Sequence, residues 1–203
     1  MSKATQIISL LESISDIVYH GTSLNKLFQI IKSDSFQLSA ENATEADQIG
    51  KSNKRIFFMS LARNLSSGYL LRNWNPVILR IDGQKLSQKY KGGPVDYWGR
   101  EFRKVDPKSS EQEDRLWSPD AFIKPASKYI KDAHIMIEDK GNLLWRNKTT
   151  RQALLELHKK GIKTFLYDDR AAFTKLNTAK SKPLSSFNFK GSPEPSRSRE
   201  EMD

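Results

Sequence analysis

The chain has 203 residues, enough for one substantial core, with 37% hydrophobic and 29% charged residues. It contains no cysteine, which excludes disulfides, thiolate nucleophiles and cysteine metal sites, and no apolar run reaches bilayer-spanning length. A formal charge of +10 would favour nucleic acid, an acidic protein or a dinucleotide phosphate as partner, although Lys and Arg are scattered and a solvated basic surface is the simpler meaning.

Residues 3–15 place Ile7, Ile8, Leu10, Leu11 and Ile14 at helical spacing, and the start has neither a charged leader nor a small-residue cleavage pattern. A cytoplasmic location without membrane contact is the expectation (the host cytoplasm, if the chain is phage-encoded). Asp16-Ile17-Val18-Tyr19 has strand composition, and His20-Gly21-Thr22 forms a polar corner at its end, with Gly21 allowing close backbone approach. Ser23 is an N-cap signal, and Leu24, Leu27, Phe28, Ile30 and Ile31 recur on one face of the predicted helix. A short strand follows at Phe36 and Leu38, then a polar loop over 40–54.

Arg55 to Ser60 is a predicted strand, with Leu61 to Leu71 continuing as a helix. Ser60 reads equally as that helix's cap or as a site residue, and Arg63 as a phosphate ligand or a surface residue. Pro76 to Ile81 is a strand closed by an Asp82-Gly83 turn, and Leu86 with Tyr90 marks a brief helical turn. Lys91-Gly92-Gly93-Pro94 is expected to lack regular structure. Tyr97 and Trp98 follow in a loop, as stacking or partner contacts if exposed and as core if buried.

Glu111-Gln112-Glu113-Asp114-Arg115-Leu116-Trp117 leads into another strand, whose alternation would put Glu111 and Glu113 on one face. The same acidic run also fits a solvated corner. Residues 123–130 bend, 133–137 form a strand with His134 as an ordinary strand residue, and Thr149 caps a helix to Lys160 that Gly161 stops. A last strand at 162–167 and a helix to about Leu176 close a single domain over 1–178, leaving 179–203 as a basic, Ser- and Pro-rich tail. The histidines, His20, His134 and His158, lack metal-ligand spacing, so no metal is expected.

Tyr19-His20-Gly21-Thr22, followed by an amphipathic helix and a short strand, resembles the nucleotide-gripping corner of the ADP-ribosyltransferase family. That family includes poly(ADP-ribose) polymerases, bacterial mono-ADP-ribosylating toxins and RNA 2′-phosphotransferases. The strand ending in Ser60 and the E-x-E pair Glu111/Glu113 are similar to its second and third motifs, in the same order, so the resemblance spans residues 16–137. It implies an α+β fold, an ADP-ribosyltransferase-like split, mostly antiparallel β-sandwich with flanking helices.

By the same resemblance, NAD is the substrate and a protein or nucleic acid accepts the ADP-ribose. His20, Gly21, Thr22, Ser60 and Arg63 would hold the dinucleotide. Glu113 would stabilise the ribose cation, and Glu111 would orient or deprotonate the acceptor. The rivals are an RNA 2′-phosphotransferase, which the carboxylate pair disfavours, and a non-catalytic nucleic-acid- or protein-binding module with a degenerate cleft.

Overall fold

The computed structural model describes residues 14–39, 57–67, 70, 75–95, 112–138, 141 and 143–186. Strand β1 (Ile17–Thr22) leads through the Ser23 cap, whose hydroxyl oxygen accepts the Lys26 N–H, into helix α1 (Leu24–Ser33). Leu27, Ile30 and Ile31 bury the helix's apolar stripe, and Asp34 ends it in the left-handed conformation at φ 49°. After β2 (Phe36–Gln37) and β3 (Phe57–Ala62) come β4 (Val77–Asp82) and the short α2 (Gly83–Ser87), capped by Asp82. Strands β5 (Lys91–Val95), β6 (Glu113–Ser118), β7 (Phe122–Ile123) and β8 (Ile130–Met136) follow. Helix α3 (Lys148–Lys159), β9 (Thr164–Tyr167), α4 (Arg170–Thr174) and β10 (Lys182–Pro183) complete the order.

Eight strands form one sheet in the order β10-β9-β8-β4-β1-β3-β6-β5, and β2 pairs with β7 in a second, two-stranded sheet. All pairs are antiparallel except β8–β9, where α3 supplies the crossover that parallel strands require. The fold is therefore α+β with a large, mostly antiparallel sheet, as the sequence led us to expect.

Register assigns the two faces of the large sheet. Val18, His20 and Thr22 share one face with Ile81, Leu79 and Val77 of β4. Met59, Leu61 and Leu116 join that face, which packs against Leu27 and Ile31 of α1 and Leu154 and Leu157 of α3. On the opposite face, Tyr19, Ile78, Met136 and Tyr167 pack with Phe173 of α4.

Several segments differ from the sequence expectation. Lys91–Val95 is a strand, paired with β6 from Lys91↔Trp117 to Val95↔Glu113. It lies at the sheet's edge, where a proline costs no ladder bond on the open side, and Gly92 fits where a Cβ would come 2.8 Å from the Arg115 carbonyl oxygen. Leu61 and Ala62 complete β3 rather than starting a helix, because both pair with β6 and are fully buried.

Asn147, not Thr149, caps α3. Residues 179–186, expected to begin a tail, include β10 on β9 and a buried Leu184. The expected helix before Ile14, the loop over 40–54, Tyr97, Trp98, Glu111 and residues 187–203 lie outside the described residues.

Candidate functional site

Strand β1 pairs with β4 along its whole length, from Ile17↔Asp82 to Thr22↔Val77, but with β3 only at Tyr19↔Ala62. Beyond that pair β3 changes partner. Phe58 exchanges both backbone hydrogen bonds, each 2.9 Å, with Ser39, which follows β2. The strands splay and a cleft of about 650 Å³ opens between them, lined by β1, α1, the β2 segment, β3 and the start of β7.

His20 and Thr22 of β1 and Ser60 of β3 line this cleft. The His20 ring donates to the Ser60 backbone carbonyl, while Nδ1 is shut off from solvent and has no hydrogen-bond partner among the described residues. Burial lowers the imidazole pKa from 6.5 to about 4, and Lys26 adds to the effect while the Ser60 bond opposes it. The ring is therefore neutral at pH 7 and presents an unprotonated nitrogen as acceptor. Phe36 packs edge-on against it, with centroids 6.2 Å apart. The Thr22 hydroxyl is also buried without a partner among the described residues. Two orphaned polar atoms in one cleft are uncommon, since each buried polar group left unpaired costs about 1–3 kcal/mol.

Lys26 is the one charged residue among the described residues of the lining, and Phe36, Phe57 and Phe122 give it apolar surface. Such a cleft suits an anionic ligand with planar, apolar parts. Lys26 and Gln29 face it from α1 and were not singled out in the sequence; their signal was their position on the polar side of a helix that starts at the Gly21 corner. Gly21 itself faces the other way, where a Cβ would come 2.7 Å from the Asn75 amide.

The remaining site candidates lie elsewhere. Ala62 pairs with both Tyr19 and Glu113, so His20, Ser60 and Glu113 stand on three neighbouring strands, β1, β3 and β6. Glu113 shares the face of Tyr19 and Ala62, whereas His20 is on the opposite face. It is 3% exposed and its Oε1 accepts from Arg115 Nη2 at 3.0 Å and Nε at 3.2 Å. The Arg115 guanidinium in turn lies 4.5 Å above the Phe58 ring.

Arg63 is outside the cleft lining and pairs through Nε with Asp114 at 3.4 Å. Gln112 has φ 50°, in the left-handed region, and the strand begins at Glu113. Among the described residues, no group of three or more acidic or histidine side chains is placed to hold a metal ion. No described helix is long and apolar enough to cross a membrane.

No protein-family model, curated protein or solved structure matches the chain.

Proposed function

We propose that the chain is an NAD-dependent mono-ADP-ribosyltransferase acting on a protein or nucleic-acid acceptor. The observation that carries this reading is the pair of unpartnered polar atoms, His20 Nδ1 and Thr22 Oγ1, at a cleft whose charged described residue is Lys26. His20 accepts a hydrogen bond from a ribose hydroxyl, and Thr22 can donate or accept one. Lys26 neutralises pyrophosphate charge, and the phenylalanine walls take a base.

Transfer breaks the nicotinamide–ribose bond, with the electron pair leaving on nicotinamide. The acceptor bonds to the same ribose carbon and gives up its proton. Glu113 is assigned to the cationic sugar and Glu111 to the acceptor, by resemblance to the family's E-x-E pair. For that role Glu113 must exchange Arg115 for the sugar, and the sugar must reach the sheet face opposite His20.

The Glu113–Arg115 pairing, turned away from His20, favours a second reading in which the cleft binds a nucleotide without transfer. Calorimetric titration with NAD, followed by incubation of labelled NAD with the protein and a cell lysate, separates the two. The transferase reading expects NAD binding and label on protein or nucleic acid. It also expects Glu113→Gln to lose roughly 100-fold or more of transfer while keeping NAD affinity. Binding with no transferred label establishes the second reading, and absence of NAD binding rejects both. Undiminished transfer by Glu113→Gln removes that carboxylate from the mechanism.

A further inference from the structure

A second cavity, of about 500 Å³, lies where α1 and α3 begin. Both N-caps line it, Ser23 and Asn147, so two helices of ten and twelve residues direct the positive ends of their dipoles at one space. Each cap side chain accepts one first-turn N–H, Lys26 N to Ser23 Oγ at 3.3 Å and Thr149 N to Asn147 Oδ1 at 2.8 Å. The other first-turn N–H groups have no intrahelical acceptor. Neither first turn contains an acidic residue, the usual complement to a helix N-terminus.

Thr150 provides the independent sign of a ligand. It lines the cavity at 1% exposure, and its Oγ1 has no hydrogen-bond partner among the described residues. The acceptor that a helical threonine ordinarily uses, the carbonyl four residues back, belongs to Arg146, and that oxygen already takes Arg151 Nη1 at 2.9 Å. Arg146 itself lines the cavity, and among the described residues no carboxylate does. Pro76, Leu143 and Leu144 form walls that shed water and strengthen any charge–dipole attraction inside.

We propose that this cavity binds a phosphate group. Two helix N-termini, a guanidinium able to grip two oxygens and a buried hydroxyl donor match a tetrahedral anion better than a planar carboxylate. The cavity is larger than one phosphate, which leaves room for the nucleoside to which it is attached. Its source is either a free nucleotide or a nucleic-acid strand. The site adjoins the first cleft, since Thr22 lines one and Ser23 the other. It does not depend on the transferase reading.

The test is a titration of the full chain with inorganic phosphate, followed by amide NMR at constant ionic strength. Saturable shifts are expected at residues 24–25 and 148–150, with affinity falling roughly tenfold in Arg146→Gln and severalfold in Thr150→Val. Arg146 is exposed, so its replacement leaves the fold intact, and Thr150→Val preserves volume. Shifts only at other amides, an absence of saturable shifts, or unchanged affinity in both variants overturns the site. Adenosine monophosphate and a 5′-phosphorylated oligonucleotide, each compared with its dephosphorylated form, then identify the source. Tighter binding of either phosphorylated form at these amides supports the site.

Discussion

Two histidines of the sheet, the half-buried His20 on β1 and the fully buried His134 on β8, have opposite local chemistry. His134 uses both ring nitrogens, Nε2 with Asp132 at 2.9 Å and Nδ1 with the Tyr167 hydroxyl at 2.8 Å. Arg80 extends the chain by pairing with Asp132 at 2.6 Å, and Phe165 stacks on the imidazole with centroids 5.0 Å apart. Burial, with the Asp132 charge adding to it, pushes the Tyr167 phenol up to about 12, so it stays a donor or neutral acceptor at any working pH. Among the described residues His20 bonds only to a backbone carbonyl, and its Nδ1, closed to solvent, has no partner. A histidine with every hydrogen bond made holds strands together, whereas one left short is available to something outside the chain.

The largest expected effect is at the satisfied site. His134→Ala removes a packed ring and leaves Asp132 and the Tyr167 hydroxyl short of a partner, so a loss of about 3–5 kcal/mol in urea unfolding is expected. A loss under about 1 kcal/mol would remove the structural role assigned to this network.

The next effect is one of pH. The folded-state pKa of His20 lies below its unfolded value, so between 6.5 and about 4 the unfolded chain binds a proton that the folded chain does not. Stability is therefore full above pH 6.5 and falls as pH drops toward 4, by something on the order of 2–3 kcal/mol from this group. His20→Gln should flatten the slope in that window, as read by unfolding midpoints at several pH values. An unchanged slope would mean that the imidazole is not protected from protonation.

The smallest effect sharpens the comparison most. Thr22→Val removes an unpaired buried hydroxyl and should leave stability unchanged or raise it by up to about 1 kcal/mol, while NAD affinity falls severalfold. Destabilisation of about 2 kcal/mol would show that the hydroxyl serves the fold rather than a ligand.

Much of the local structure was legible in the sequence. Helix α1 follows from the Ser23 cap and the spacing of Leu27, Ile30 and Ile31, and β4 from its β-branched run. Strand β5 was not legible because KGGPV has no strand propensity of its own; pairing with β6 imposes its conformation.

The candidate site was legible in part. The corner at His20 marks one wall of the cleft, and His20, Ser60 and Glu113 fall on adjacent strands. Side-chain direction was not legible, because it depends on register, and the Tyr19↔Ala62↔Glu113 row turns the carboxylate away from His20. The Asp132–His134–Tyr167 chain needed the β8–β9 register as well, although the alternation of Asp132 and His134 hinted at a shared face. The phosphate cavity brings together two caps, Ser23 and Asn147, far apart in the chain, so only the tertiary structure reveals it.

The lone pairing of Tyr19 with Ala62 bears on the protein's mechanics. On one side β1 is fastened along its length to β4, and on the other it is tacked to β3 at a single point. The outer wing of β3, β6 and β5 is thus attached to the body of the sheet by little backbone bonding. What holds it there is packing: Met59, Leu61 and Leu116 are buried in the same core as Val18, Leu27 and Ile31, so prising the wing away exposes apolar surface although it breaks few ladder bonds.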